Sequence, residues 1–407
     1  MVRLDWRSWY ATSMNDNDAP LLLDVSRLVW RRWTGTRPTG IDRICLAWLD
    51  HYGPSAQAVV IHRQGQAILP LTTSQALFKL LARHDRSRGD ALHFRAALGG
   101  LAIRRGAHLR DHLEGRGRVW LNPGHTGLDN PRIGAWVRRR NLRPVHLVHD
   151  LIPITHPQYC REGEDERHRR RMRAVLDTGA GVIANSSHTL ETLAVFATAE
   201  GRALPPAAVA WPGTPVLPCE SPRVDAEPAF VILGTIEGRK NHALLLSAWR
   251  KMLEGSGGLP VPRLVIVGRR GWQADHVFEL LDRGEFGDRV VEVGPLDDRR
   301  LAETLVGARA LLFPSFAEGY GIPLAEALAA GVPVIASDLP VFREIGQGVP
   351  ELLPPDDVAP WSCAIADYAR PDSARRREQL DRLAAFLVPD WRGHFTKIDN
   401  FLTELAR

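Results

Sequence analysis

Short apolar runs recur along this chain in two series, separated by stretches with helical spacing. LLLDVSRLVW (21–30) begins as a buried strand, and GIDRICLAWLDHY (40–52) has the apolar spacing of a helix. AVVIHR (58–63), RVWLNP (118–123), PVHLVHD (144–150) and AGVIANS (180–186) follow, with gaps long enough for helices. Such alternation predicts a parallel sheet. The second series runs AFVILGT (229–235), helix 241–253, RLVIVGR (263–269), helix 273–283, RVVEVGPL (289–296), helix 298–307, ARALLFPS (308–315), a helix from about 322, and VPVIAS (332–337). Five strands at this spacing predict a second doubly wound sheet, with ligands at the C-terminal ends of its strands.

Between the series, GRALPPAAVAWPGTPVLPCESPRVDAEP (201–228) holds seven prolines, which preclude a continuous helix. The expected organisation is therefore α/β: a Rossmann-like domain over 1–215, a linker over 216–228 and a second Rossmann-like domain over 229–385, the two facing a cleft. Residues 386–407 are expected to form helices that pack back on the first domain.

Composition narrows the class. The chain has 407 residues, 44% hydrophobic and 24% charged, which suits two folded domains and neither disorder nor a membrane-embedded fold. No run approaches 18 uncharged apolar residues and the N-terminal segment lacks the apolar core of a signal peptide, so the expected location is cytoplasmic. Cys45, Cys160, Cys219 and Cys363 form no CxxC pair, so neither a zinc site nor a disulfide framework is expected. The net charge of +5 fits anionic small molecules or lipid head groups and is too weak to argue for nucleic acid.

Five short segments and two arginine-rich runs carry candidate chemistry. FAEGYGIPLAEALAAG (316–331) follows an apolar run, places Glu318 before Gly319, Tyr320 and Gly321, and puts Glu326 in the first turns of the helix that Pro323 opens. A glycine-flanked loop opening a helix presents free N–H groups to a phosphate or a sugar hydroxyl. In TIEGRKN (235–241), Arg239 and Lys240 at a strand end can together neutralise a diphosphate. Lysine is scarce: only Lys79, Lys240, Lys251 and Lys397 occur among 52 basic residues, so Lys240 is poorly explained as generic surface charge. His149 and Asp150 end a strand where a cleft should lie; His149 could meet a donor sugar or acceptor, and Asp150 could orient it or act as a base. Asn185 and Ser186 end the next strand, where they either cap the following helix or contact an acceptor or phosphate. Thr39 and Gly40 precede the helix 40–52 at a position suited to close approach of a ligand. The arginine-rich runs WVRRRNLR (136–143) and RHRRRMR (167–173) are either solvated helix faces or contacts for anionic lipid.

EGRKN (237–241) and the Glu-x7-Glu segment EGYGIPLAE (318–326), about 80 residues apart, together resemble the family 4 retaining glycosyltransferases of the GT-B fold. The likeness is strong over 229–345 and weaker over the first 200 residues. It implies that Arg239 and Lys240 bind the donor diphosphate, Glu326 the ribose and Glu318 the transferred sugar. It further implies that the Gly319 to Gly321 amides touch sugar or phosphate and that His149 contacts the donor sugar. Tyr320 stands where the family more often has Phe, and TGIDR departs from the family's double-glycine first loop. HDLIPITHP and TIEGRKN resemble bacterial mannosyl- or rhamnosyltransferases of surface polysaccharide synthesis. The expected reaction is metal-independent hexosyl transfer from a nucleotide diphosphate sugar, a GDP-sugar favoured over UDP or dTDP, to a glycan or lipid-linked glycan. No separate cofactor is expected. An epimerase or phosphorylase and a non-catalytic nucleotide-sugar-binding subunit are the rival readings. An oxidoreductase fits poorly, since GRRG (268–271) has the wrong spacing for a dinucleotide loop.

Overall fold

The computed structural model describes residues 19–36, 39–62, 65–83, 90–104, 115–215, 228–255 and 261–407. The N-terminal lead, residues 216–227 of the expected linker, and Cys219 lie outside them. Cys45, Cys160 and Cys363 are free thiols.

The first sheet orders its strands β3-β2-β1-β4-β5-β6-β7. These are β1 (Leu21–Asp24), β2 (Ala56–His62), β3 (Gly65–Ile68), β4 (Val119–Asn122), β5 (Arg143–Val148), β6 (Gly181–Ala184) and β7 (Ala207–Val209). All neighbours are parallel except β3, which returns antiparallel to β2 through a hairpin. The second sheet, β10-β9-β8-β11-β12-β13, is parallel throughout. It comprises β8 (Ala229–Leu233), β9 (Arg263–Val267), β10 (Val290–Glu292), β11 (Ala310–Phe313), β12 (Val334–Ser337) and β13 (Glu351–Leu353).

Central strands are covered on both faces, so they read as largely apolar runs. In β1, Leu21 and Leu23 join one core cluster and Leu22 the other, as the two-residue period requires. Three short strands escape the sequence pattern. β3 mixes polar and small residues, β7 lies inside the proline-rich stretch, and β13 supplies a sixth strand where five are expected. The run 21–30 is also not one unit: the strand stops at Asp24 and a helix, Ser26–Thr34, begins two residues later. It ends at Gly35, whose φ of 66° is the left-handed stop.

The C-terminal helix Trp391–Leu405 buries Phe395, Ile398, Phe401 and Leu402 in the first domain's core beside β1, β5 and helix Gly40–Tyr52. Each such side chain contributes about 1.5–3 kcal/mol. Polar contacts fix its register: Trp48 Nε1 donates to His394 Nε2 at 3.0 Å, and Tyr52 donates to Asp399 at 3.0 Å. The chain thus returns to its first domain after completing its second.

Candidate functional site at the domain seam

Crossing from β8 to β11, the second sheet reverses the direction of its strand order, the position where such folds open a crevice. The segment after β8 carries Glu237, Arg239 and Lys240; the loop after β11 carries Ser315 and Glu318. They meet as one buried ionic cluster. Lys240 Nζ lies 2.5 Å from Glu318 Oε1, Arg239 Nη1 lies 2.8 Å from the same oxygen, and Ser315 Oγ donates to it at 2.9 Å. Arg239 Nε also pairs with Glu237 at 2.7 Å. Burial alone would raise the Glu318 carboxyl, but the two cations outweigh it and hold the group at about 2. Lys240 stands over the Phe313 ring at 4.6 Å, which leaves its ammonium one polar face.

Glu326 points elsewhere. It sits in helix Ile322–Ala329, 5% exposed, and accepts from Arg43 of the first domain at 2.8 Å. Arg43 also reaches Asp298 at 3.1 Å, so one guanidinium ties two carboxylates of the second domain to the first. From the sequence, Asp42 and Arg43 of TGIDR could line the cleft; the partners of Arg43 could not be named, because they lie 255 and 283 residues away.

The first-domain candidates gather on the other side of Gly319, and several do so differently from expectation. His149 Nε2–H donates to the Pro123 carbonyl at 2.7 Å, while Nδ1 is buried and has no hydrogen-bond partner among the described residues. Burial pushes the imidazole down to about 4, so it is neutral at physiological pH with a free acceptor nitrogen. Asp150 does not orient it; its carboxylate accepts from the Ile152 N–H at 3.1 Å and closes a local turn. Asn185 Nδ2 donates to the His149 carbonyl at 2.8 Å. Ser186 caps helix Ser187–Ala199 by accepting from Thr189 N at 3.1 Å, and its hydroxyl donates to the Gly319 carbonyl at 2.8 Å. Asn185 and Ser186 are therefore engaged with protein groups at the seam. The anion at that helix N-terminus is supplied in-house, since Glu344 of the second domain accepts from Ser187 N at 2.8 Å and His188 N at 3.2 Å.

Packing accounts for the side chain of Tyr320 and corrects the expectation for Gly40. The Tyr320 ring is buried and its hydroxyl donates to the Pro212 carbonyl at 3.2 Å, so the side chain belongs to the interdomain core rather than to a ligand. Burial pushes its phenol well above the usual range. Gly40 begins its helix against protein: a β-carbon there would come 2.5 Å from Ile322 Cδ1. Thr39 and Asp42 form a capping box, and Asp42 also holds Arg27 at 2.6 Å and Arg31 at 3.1 Å.

Gly321 takes φ 93°, a left-handed geometry that caps the helix behind Pro323. Gly319 is needed for a different reason. A β-carbon there would lie 2.1 Å from the His149 carbonyl oxygen and 2.8 Å from Asp150 Cβ. Because the obstacle is backbone of the other domain, Gly319→Ala is expected to wedge the seam open. Small-angle scattering should show an enlarged radius of gyration, and any activity of the seam should fall at least about tenfold. An unchanged radius with full activity would mean the domains do not close as seen here.

The arginine runs also resolve. Arg167 pairs with Asp129 and Glu164, Arg170 with Glu166, and Arg173 with Glu166 and Glu200, so the 167–173 face is largely neutralised. In the 136–143 run, Arg143 donates to the Leu405 carbonyl at 2.5 Å and anchors the C-terminal helix.

Two parallel doubly wound domains with a charged seam define the GT-B architecture, and solved structures agree with it. The chain superposes on sucrose-phosphate synthase from Thermosynechococcus elongatus with a TM-score of 0.61 at 19% identity, covering 95% of this chain and 98% of that one. Anabaena HepE, solved in complex with UDP-glucose, gives 0.63 at 16% identity over 94% and 98%. Residues 227–370, most of the second domain, match the family model "Glycosyl transferases group 1". Among curated proteins, the serotype-specific mannosyltransferase WbdA of Escherichia coli is 30% identical over 229 residues, 49% of this chain and 26% of that protein. The O-antigen chain mannosyltransferase B of Escherichia coli is 26% identical over 282 residues, 65% and 71% of the respective chains. The match to WbdA thus spans only about a quarter of that relative's length.

Proposed function

We propose that this chain is a hexosyltransferase of bacterial surface polysaccharide synthesis. In this reading it moves a mannose-type sugar from a nucleotide diphosphate donor to a hydroxyl of a glycan or lipid-linked glycan, with retention and without a metal ion. The observation that carries the reading is the buried Arg239–Lys240–Glu318 cluster at the strand-order reversal of a group 1 domain. The mannosyltransferase relatives favour mannose, and with it a GDP-sugar.

The cluster is not an open cationic pocket, because carboxylates already occupy both cations. A diphosphate entering here exchanges those partners for phosphate oxygens, so its affinity is a difference between two ion-paired states. Arg239 would take two oxygens as a planar fork and Lys240 would act as a compact charge. Both then stabilise the charge that grows on the leaving diphosphate, which is the part a metal plays in other transferases. A ribose reaching Glu326 must replace Arg43 as its partner, which couples donor entry to the contact between domains. On the front-face path, the anomeric carbon–oxygen bond to the diphosphate breaks as the acceptor oxygen bonds on the same side. The departing phosphate oxygen takes the acceptor proton.

A thermal-shift panel of GDP, UDP, dTDP and their sugars tests the donor, since a ligand of the folded state raises the melting temperature by mass action. GDP and GDP-mannose are expected to give the largest shifts, and transfer to proceed fully in EDTA. Selective stabilisation by another nucleotide would overturn the GDP assignment. Loss of transfer in EDTA with rescue by Mn²⁺ would overturn metal independence. Binding without transfer to any glycan would favour the non-catalytic subunit, and an epimerised donor the epimerase.

A further inference from the structure

The helix Ser26–Thr34 leads from the cleft edge to the surface. Its inner side holds Ser26 and Leu28, and Arg27 and Arg31 turn toward Asp42 at the seam. The remaining side carries Trp30 and Trp33, three residues apart and therefore adjacent on the helix, with 57% and 41% of their surfaces exposed. Two half-open indoles so close together are a costly surface in water.

Helix Asp90–Arg104 extends that surface. Arg95 Nε and Nη2 donate to the Trp33 carbonyl at 2.9 and 2.7 Å, and its guanidinium lies 5.3 Å over the Trp33 ring. Leu92, nearly one turn earlier, is 67% exposed. Over 91–100 only Phe94 is buried; the exposed positions are Leu92, His93, Arg95, Ala96, Ala97 and Gly99, with no carboxylate among them. Arg83, exposed at the end of helix Leu71–Ala82, accepts through its carbonyl from Arg32 of the tryptophan helix, which ties that helix to its neighbour.

We propose that Trp30, Trp33, Leu92 and Arg95 form a docking face for an anionic lipid bilayer. Indole rings favour the headgroup level, an apolar helix face enters the acyl boundary, and each nearby arginine adds about 1 kcal/mol on an anionic surface. The charge complement decides between occupants: the exposed described positions of 91–100 carry Arg95 and no acid, which matches lipid phosphates, whereas a second copy of the same face would repel it. The face is distinct from the 167–173 run, most of whose cations are paired. At about 1.5 Å per residue, Trp33 lies about 9 Å along the helix from Arg27, so a docked bilayer stands close to the seam. Among the described residues no helix is long and apolar enough to cross a membrane. The inference concerns attachment and does not depend on the donor or the chemistry of transfer.

Flotation of the full chain with vesicles of phosphatidylcholine alone, or mixed with phosphatidylglycerol, tests it. The parent is expected to float with the mixed vesicles and not with phosphatidylcholine. Trp30→Ser/Trp33→Ser should cut the bound fraction at least about tenfold, a loss of 1.4 kcal/mol or more. Leu92→Ser, a milder surface change, should cut it several-fold and serves if the double variant misfolds. Val195→Ser, which removes a 70% exposed valine on another helix, should change nothing. Thermal-shift responses to nucleotides should be the same in all of them. Failure of the parent to bind mixed vesicles overturns the proposal. So does unchanged binding by the folded variants, or a parent dimer that the tryptophan substitutions dissociate.

Discussion

Lys240→Ala is expected to lower kcat/KM for sugar transfer by about a hundredfold to a thousandfold, the range for removing one preorganised donor to a developing anion. The ammonium is buried, shares Glu318 Oε1 with Arg239 and stands over Phe313, so water cannot substitute for it in an equivalent geometry. Loss of one cation also leaves Glu237 and Glu318 facing Arg239 alone, and the Glu318 carboxyl, held at about 2 in the parent, should move up. Its stabilising contribution is present above the ordinary value of 4.5 and lost as pH falls toward 2, so the variant should lose that share at higher pH. Lys240→Arg should rescue poorly, because the planar fork does not fit a space made for a compact charge. Steady-state kinetics with a melting curve separate the roles. A folded variant with transfer within a few fold of the parent would make the cluster a structural brace.

Between pH 7 and pH 5 the melting temperature is expected to fall by at least about 10 °C, with buried histidines as the cause. Burial holds His146 and His242 down to about 3, and His149 and His394 to about 4, against an ordinary value of 6.5. The folded chain therefore binds fewer protons than the unfolded chain below pH 6.5. Their contribution is complete above that value and is lost progressively as pH falls toward 4. At about 1.4 kcal/mol per group and pH unit, four such groups give a slope of up to roughly 5 kcal/mol per unit. His394 is the clearest case. Its Nε2 must remain unprotonated to accept from Trp48, while Nδ1–H donates to the Trp211 carbonyl at 3.0 Å. His394→Gln, which cannot titrate, should remove about a quarter of the slope. A melting temperature flat over this range would show that these histidines titrate in the fold as they do in the unfolded chain.

The sequence by itself determined the elements whose burial is two-sided. β1, β4, β5, β6, β8, β9, β11 and β12 are apolar over most of their length, so their order and alternation with helices were legible, and with them the two doubly wound sheets. Edge strands such as β3, β7 and β13 have little burial to write into the sequence, and they were missed. Arg239, Lys240 and Glu318 were legible because each strand-end motif is local, and topology brings strand ends together.

What depends on faces meeting across the seam was decided only in three dimensions. That Arg43 holds Glu326, that Tyr320 packs inward, and that Ser186 grips the Gly319 carbonyl all join residues more than 100 positions apart. That Glu344 is the anion at the Ser187–Ala199 helix joins residues equally remote. No periodicity encodes such pairs, since a side chain's own element fixes its direction but not what the other domain presents to it.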